Sequence, residues 1–243
     1  MKRAVWITLL AVVAFLGVLV ARMPAGWVLP ARTASGGCMS LDGTLWSGSC
    51  SGLSFGHTAL GDLTWELRPL PLLRGRLAAH LNLAGPITAS GDVELGFGRH
   101  LSARNLSADL PLDPRLLPDL PQELSGRAHA ELALIEVERG VLRQLQGRIE
   151  AHDLVDHSGA ATPLGSYVVT FPGGAGDLTG KLHDLDGPLA LEGTLRLTGQ
   201  GGYELEGLIA PRAGAPRELV SNIRFFGSPD ATGRRSFSLS GTF

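Results

Sequence analysis

A two-residue alternation of apolar and polar side chains recurs through most of this chain, and it leaves few folds open. Between residues 75 and 84, Leu77, Ala79, Leu81 and Leu83 alternate with Arg76, His80 and Asn82. Between residues 126 and 136, Ala128, Ala130, Leu132 and Leu134 are set against Arg127, His129, Glu131 and Ala133. Leu189, Leu191, Leu195 and Leu197 alternate with Glu192, Thr194 and Arg196, and Tyr203, Leu205 and Ile209 with Glu204 and Glu206. Successive side chains of a strand point to opposite faces, so each segment reads as a strand with one apolar and one wet face. No apolar pattern of helical period is long enough for βαβ units. Many of the 33 glycines and 15 prolines, such as Gly85-Pro86 and Gly173-Gly174, fall between these runs, where turns belong. The fold class is all-β, an antiparallel meander of short strands. Its shared apolar face is mostly Leu and Ala. A curved sheet or half-pipe with an open apolar groove and a sandwich with a closed core both satisfy that face.

In chain order, strands are expected over residues 39–46, 51–55, 59–67, 75–84, 87–97 and 100–110. Further strands are expected over 126–136, 141–152, 164–171, 177–185, 189–197, 202–209, 218–226 and 234–243. Residues 111–124 break the pattern. Asp113 followed by Pro114 is a helix-start signal, while Pro118 and Pro121 forbid a long helix, so one short helical turn is expected there.

The N-terminus sets the compartment. Residues 4–21 are apolar apart from Thr8, and Lys2 and Arg3 precede them. A helix of this length spans about 27 Å, near the hydrocarbon thickness of a bilayer. With the positive charges on the cytoplasmic side, the rest of the chain lies outside the cytoplasm. The organisation expected is a cytoplasmic tip and one transmembrane helix over 1–22, a linker over 23–37 and a periplasmic β-domain over 38–243. A cleaved signal peptide is the alternative, but Arg22, Met23 and Pro24 stand where small residues are wanted.

Cys38 and Cys50 lie beyond this segment, and an even count in an oxidising compartment reads as one disulfide. A redox pair or metal site is the alternative, opposed by the absence of a C-x-x-C spacing or a nearby histidine. Without residues 1–22 the chain carries eighteen basic and 23 acidic residues, which argues against nucleic acid as a partner. No nucleophile elbow or phosphate loop is present, and no cofactor is expected. His152, Asp153, Asp156 and His157 cluster in sequence, but in a solvated stretch such residues are ordinarily polar surface rather than metal ligands. Trp46 and Trp65 read as core aromatics rather than ligand platforms. An enzyme is not expected.

The order of several short blocks carries a family resemblance. Gly43-Thr-Leu-Trp46-Ser-Gly48 is followed by Leu63-x-Trp65-x-Leu67-x-Pro69 and Leu72-Leu73-x-Gly75. Late in the chain come Gly187-Pro188-Leu189-x-Leu191-x-Gly193, Tyr203-x-Leu205-x-Gly207 and the block from Phe226-Gly227 to Gly233. Over most of residues 40–243 this pattern resembles the type II secretion system protein N family. The resemblance implies a bitopic inner-membrane protein of a Gram-negative bacterium. It implies a role in assembly or interaction within the apparatus that exports folded proteins. The partners implied are inner-membrane platform proteins and the outer-membrane secretin. It carries no catalytic residues. The cysteine pair is not part of the pattern. From the residues alone, a membrane-anchored lipid or hydrophobic-ligand carrier is the alternative function.

Overall fold

The computed structural model describes residues 22–27, 32–33, 36–56, 58–114, 116–117, 120–174 and 176–242, together with Trp6, Leu10, Val12, Phe15, Val18 and Leu19. The run expected to cross the membrane lies mostly outside the described residues. Among the described residues no helix is long and apolar enough to cross a membrane.

The described chain forms one 15-stranded sheet. Short strands β1 (Arg32–Thr33), β2 (Gly36–Gly37) and β3 (Ser40–Gly43) lead into β4 (Ser47–Phe55) and β5 (Thr58–Arg68). Then follow β6 (Leu77–Ala84), β7 (Thr88–Gly96), β8 (His100–Leu112), β9 (Leu124–Glu138) and β10 (Val141–Asp156). The series ends with β11 (Thr162–Phe171), β12 (Thr179–Asp186), β13 (Leu189–Leu197), β14 (Gly202–Pro211) and β15 (Arg235–Thr242). From β4 to β15 every strand pairs antiparallel with its sequence neighbours, while β2 and β3 both pair with the outer side of β4. Among the described residues no second sheet packs on this one, so of the open alternatives the sandwich is not the one adopted.

The alternation seen in sequence becomes a register that holds across twelve strands. One row runs through Cys50, Leu63, Leu83, Ala89, Ala108 and Ala130. It continues through Ile149, Val169, Leu182, Gly193, Gly207 and Phe237. The parallel row one residue away is polar throughout, from Ser49, Thr64, Asn82, Ser90, Ser107 and Glu131 to Arg148, Thr170, Lys181, Thr194, Glu206 and Ser238. One face of the sheet is therefore apolar and the other wet.

Three clusters cover parts of the apolar face. At the N-terminal side Ala25, Cys50 and Trp65 pack with Cys38 and Leu41. In the middle, Leu132, Leu145, Phe171 and Leu178 gather side chains from β8 to β13. There the sheet bends, and Leu142 N–H donates to Gly199 C=O at 3.0 Å across the mouth between β10 and the β13–β14 turn. At the C-terminal side a helix, Arg217–Ile223, lays Leu219 and Ile223 on Leu189 and Ile209.

That helix corrects the expectation of a strand over 218–226. Leu219 and Ile223 are four residues apart, one above the other on a helical turn, and the apolar sheet end offers them a place to bury. The expected grouping of Leu134 with Leu132 is also corrected. Gln146 faces Leu134 but Gly147 faces Leu132, so a bulge at Ala133 resets the alternation. Ile135, not Leu134, then joins the apolar cluster. The first hairpin turns at residues 44–46 rather than between 46 and 51, because Gly43 and Gly48 pair directly. The span expected as a linker supplies β1, β2 and the buried Ala25.

Glycine permits two close approaches that recur at matching places. Gly61, at φ +116°, lies against Ala84 O and the Cα of Gly85, and Gly165, at φ +98°, against Asp186 O and the Cα of Gly187. Both second glycines precede a proline, Pro86 and Pro188. The equivalence extends outward: β4 to β9 and β10 to β15 are two uses of one six-strand plan. Pro-Gln-Glu-Leu at 121–124 and Pro-Arg-Glu-Leu at 216–219 mark the same long connection in each half.

Trp65 anchors the first half. Its indole N–H donates to Leu45 C=O at 3.2 Å, and its ring occupies the space a Cβ on Gly48 would need. Gly48→Val should therefore destabilise by about 1–3 kcal/mol through overpacking, read as a lowered urea midpoint with unchanged slope. Cys38 and Cys50 are joined by a disulfide that closes a 12-residue separation. Replacing both with serine should cost on the order of 3 kcal/mol, and non-reducing peptide mapping should recover the linked pair.

Candidate interaction surfaces

The wet face is stitched by charges that the strand register brings opposite one another. Asp92, facing His80, accepts from Arg68 at 2.7 Å and lies 3.1 Å from His80 Nδ1. Arg76 reaches Glu94 at 3.0 Å. Farther along, His129 Nδ1 lies 2.7 Å from Asp109, and Glu150 sits between Arg148 and His152. Burial pushes the Asp92 carboxyl up, but the His80 hydrogen bond and the Arg68 guanidinium outweigh it and hold it below its ordinary value. Apart from the buried Glu150, these pairs are largely exposed, so each contributes little to stability and mainly fixes which residues face each other.

The histidine–carboxylate cluster at 152–157 is dispersed. His152 bonds Glu150 at 2.6 Å, Asp153 accepts from Arg127 at 3.0 Å, and Asp156 accepts from the Ser158 N–H at 2.8 Å. His157 Nε2 lies 2.9 Å from Ser125 Oγ. Four residues with four different partners do not converge on one ion, and no group of metal-ligating side chains stands together among the described residues.

Ser125 and His157 line a cleft of about 740 Å³ with Leu112, Asp113 and Gln122. A hydroxyl beside an imidazole is the beginning of a nucleophilic constellation. It also needs a group that orients the ring's other nitrogen and donors for an oxyanion. The neighbouring Asp156 is turned to Ser158, so the pair acts as a surface hydrogen bond. The two residues lie 32 apart in sequence, and no motif links them.

The family-pattern residues sit at turns and close approaches in this fold. Gly43 and Gly48 form the close pair under Trp65, and Trp46, half-buried, accepts from Leu67 N–H. Pro69 opens a one-turn helix, Pro69–Leu72, and Gly75 makes room for the Phe97 ring. Gly187, Pro188 and Gly193 shape the β12–β13 turn and the close β13–β14 approach, while Gly227 C=O receives Arg235 at 2.7 Å.

What remains available to a partner is backbone and apolar surface. Strand β15 pairs with β14, and a single bridge from Pro229 meets its outer edge at Arg235; from Ser236 onward that edge has no strand partner among the described residues. Arg235 is its single charged residue, and Leu239 is exposed. A flat, nearly uncharged edge is a template for another strand. The opposite edge is blunted, because two-residue β2 and four-residue β3 cover β4. Sequence reading missed the β15 edge, since which strand lies outermost depends on the pairing order.

One titration reports this geometry. Hydrogen bonding to Asp109 raises the His129 pKa, with Glu131 adding to it against a desolvation that lowers it. A raised folded-state value means the interaction stabilises below the ordinary range of about 6.5 and is lost as pH rises through the folded-state pKa. An NMR titration of the His129 ring should show the elevated midpoint in the native protein and its return towards the ordinary value in Asp109→Asn.

The comparisons with known proteins agree with this picture. A family model described as Type II secretion system (T2SS), protein N, matches residues 37–238. The type II secretion system protein N of Aeromonas hydrophila is 26% identical over 254 residues, covering 96% of each chain. That of Vibrio cholerae is 27% identical over 252 residues, covering 99% of each. No solved structure matches the chain. With a single meandering sheet matched by this family model over residues 37–238, the chain belongs to the type II secretion system protein N family.

Proposed function

We propose that this chain is an inner-membrane-anchored periplasmic component of the type II secretion system that acts through contacts within the export apparatus. The open β15 edge, on a sheet of this family, is the observation that carries the reading. Inner-membrane platform proteins and the outer-membrane secretin are the neighbours to which that edge and the adjoining Phe237 and Leu239 would be offered. The apolar run at 4–21 supplies the anchor, leaving the sheet on the far side of the membrane. The sheet needs no cofactor for such a role.

A second reading rests on a separate observation. The apolar row extends unbroken through twelve strands, and between the N-terminal cluster and the Arg217–Ile223 helix it is only partly covered. Leu77, Leu95 and Leu101, paired side by side on β6, β7 and β8, are exposed. Such a face suits an acyl chain, and the chain would then carry lipid or another hydrophobic ligand.

Charged substitutions on the open edge separate the two. Ser238→Lys with Ser240→Lys blocks strand addition while leaving the apolar row intact. The double variant should keep its thermal midpoint and lose platform subunits from mild-detergent pull-downs by about tenfold, roughly 1.4 kcal/mol of interaction. Phospholipid co-purifying unchanged with both proteins, and a deletion strain that still secretes folded exoproteins, would favour the carrier instead. Alkaline carbonate extraction tests the anchor: the full chain should stay with the membrane pellet.

A further inference from the structure

The turns of this sheet divide between two rims, and the rim beside the chain's entry is built unlike the other. Met23 and Pro24 meet the β3–β4 turn, where Leu45 N–H donates to Met23 C=O at 2.9 Å and Pro24 pairs with Thr44. On the same rim lie the β5–β6 connection, the β7–β8 turn and the β9–β10 turn, because every second hairpin of a meander faces the same way. The β3–β4 to β9–β10 turns span six strand spacings, about 29 Å.

Large apolar side chains stand out from this rim. Leu73 is 87% exposed, Phe97 83%, Leu70 77% and Trp27 76%. They are held in place. The one-turn helix Pro69–Leu72 fixes Leu70, and Phe97 packs against the Cα of Gly75, where a Cβ would collide with its ring.

Between these side chains the rim carries Arg74, Arg99 and Arg139, none of which has a carboxylate partner among the described residues. Arg99 and Arg139 occupy positive-φ turn positions, at φ 61° and 53°. Of the acidic residues towards this rim, Glu94 and Glu138 are engaged by Arg76 and Arg143, while Asp42 beside the β3–β4 turn and Asp177 in the β11–β12 connection are exposed. The opposite ends of strands β8 to β10 carry Asp109, Glu123, Asp153 and Asp156 at or beside their turns, with Asp153 paired to Arg127 and Asp109 to His129. Exposed Leu and aromatic side chains interleaved with unpaired arginines are the chemistry of a surface that enters the headgroup region of an anionic bilayer.

We infer that this rim, centred on Leu73 and Phe97 with Arg74, Arg99 and Arg139, docks into the surface of an anionic phospholipid membrane and sets the sheet upright on it. The inference rests on the anchoring proposed above in one respect: the apolar N-terminal segment leaves from this rim, so an anchored chain brings these residues to the lipid. The wet face and the β15 edge then stand clear of the bilayer.

The test uses the full chain in vesicles containing phosphatidylglycerol, with bromine on the lipid acyl chains as a contact quencher. Phe97→Trp adds an indole at the rim, and Phe225→Trp adds one at the opposite rim, where Phe225 is also exposed. Subtracting the native protein's emission isolates each added indole. The Phe97→Trp increment should fall at least about twofold in brominated vesicles while the Phe225→Trp increment stays constant. Leu73→Trp repeats the measurement without disturbing the packing on Gly75. A combined Arg74→Gln, Arg99→Asn and Arg139→Asn variant keeps residues tolerant of positive φ in both turns. It should weaken quenching in anionic vesicles and not in zwitterionic ones. If the chain resists carbonate extraction but both rims are equally unquenched, the docking inference is overturned and the anchor stands. If carbonate releases the chain, the anchor fails, and quenching after vesicles are added to the released protein decides the rim by itself. Equal quenching in anionic and zwitterionic vesicles, unaffected by the arginine changes, overturns the anionic-lipid assignment.

Discussion

Everything in this structure depends on the register that keeps one side-chain row apolar across twelve strands. A single-layer sheet has no opposing layer to cover mistakes. Slipping any strand by one residue would move its Leu and Ala into the row of Ser, Thr, Glu and Arg, and its charges into the apolar row. The two rows from Cys50 to Phe237 and from Ser49 to Ser238 show how strictly the chain obeys this. The energy gain comes from ladder hydrogen bonds and from neighbouring side chains in a row, rather than from a deep interior. Among the described residues only fourteen apolar ones are buried, and they fall mostly in the three clusters at the two ends and the middle of the sheet.

Bending is what turns this thin layer into a structure with clusters. The bulge at Ala133, with Asn105 at positive φ on the adjacent strand, lets β8 and β9 turn together without losing their pairing. Beyond it, Leu132, Leu145 and Phe171 reach one another, and the β13–β14 turn comes back to β10. The glycine pairs Gly61–Gly85 and Gly165–Gly187 allow the same close approach in each half. A six-strand plan used twice also explains why the long connections after β8 and β14 share a four-residue signature. Only the second becomes a helix that buries two side chains.

The two surfaces with functional meaning follow from the order of strands. A meander leaves its last strand with an unused edge, and it sends alternate turns to opposite rims. Placing exposed Leu73 and Phe97 with three arginines on one rim gives the sheet a distinction between its rims that no single segment possesses. A sheet built this way has one rim at the chain's entry, one edge without a strand beyond it among the described residues, and one wet face.

Much of this was legible in the chain itself. The period-two pattern predicted the strands, the ordered Gly, Trp and Pro blocks pointed to the family, and Cys38 and Cys50 stood where one bridge joins the entering segment to the sheet. Those features are local, or repeat at fixed spacing, so composition and order suffice to read them. The reading failed at Leu134, where a bulge shifts parity without leaving a sequence mark, and at residues 218–226, where alternation within nine residues resembles a strand as well as a helix. It also left the sandwich open, because an apolar strand face is the same whether a second sheet or a curve covers it. Which strand is outermost, which turns share a rim and what Ser125 lies beside are set by pairing between distant segments. Tertiary structure alone decided them, because a hydrogen-bonded ladder carries position from strand to strand while the sequence records only what each strand contributes to its own two faces.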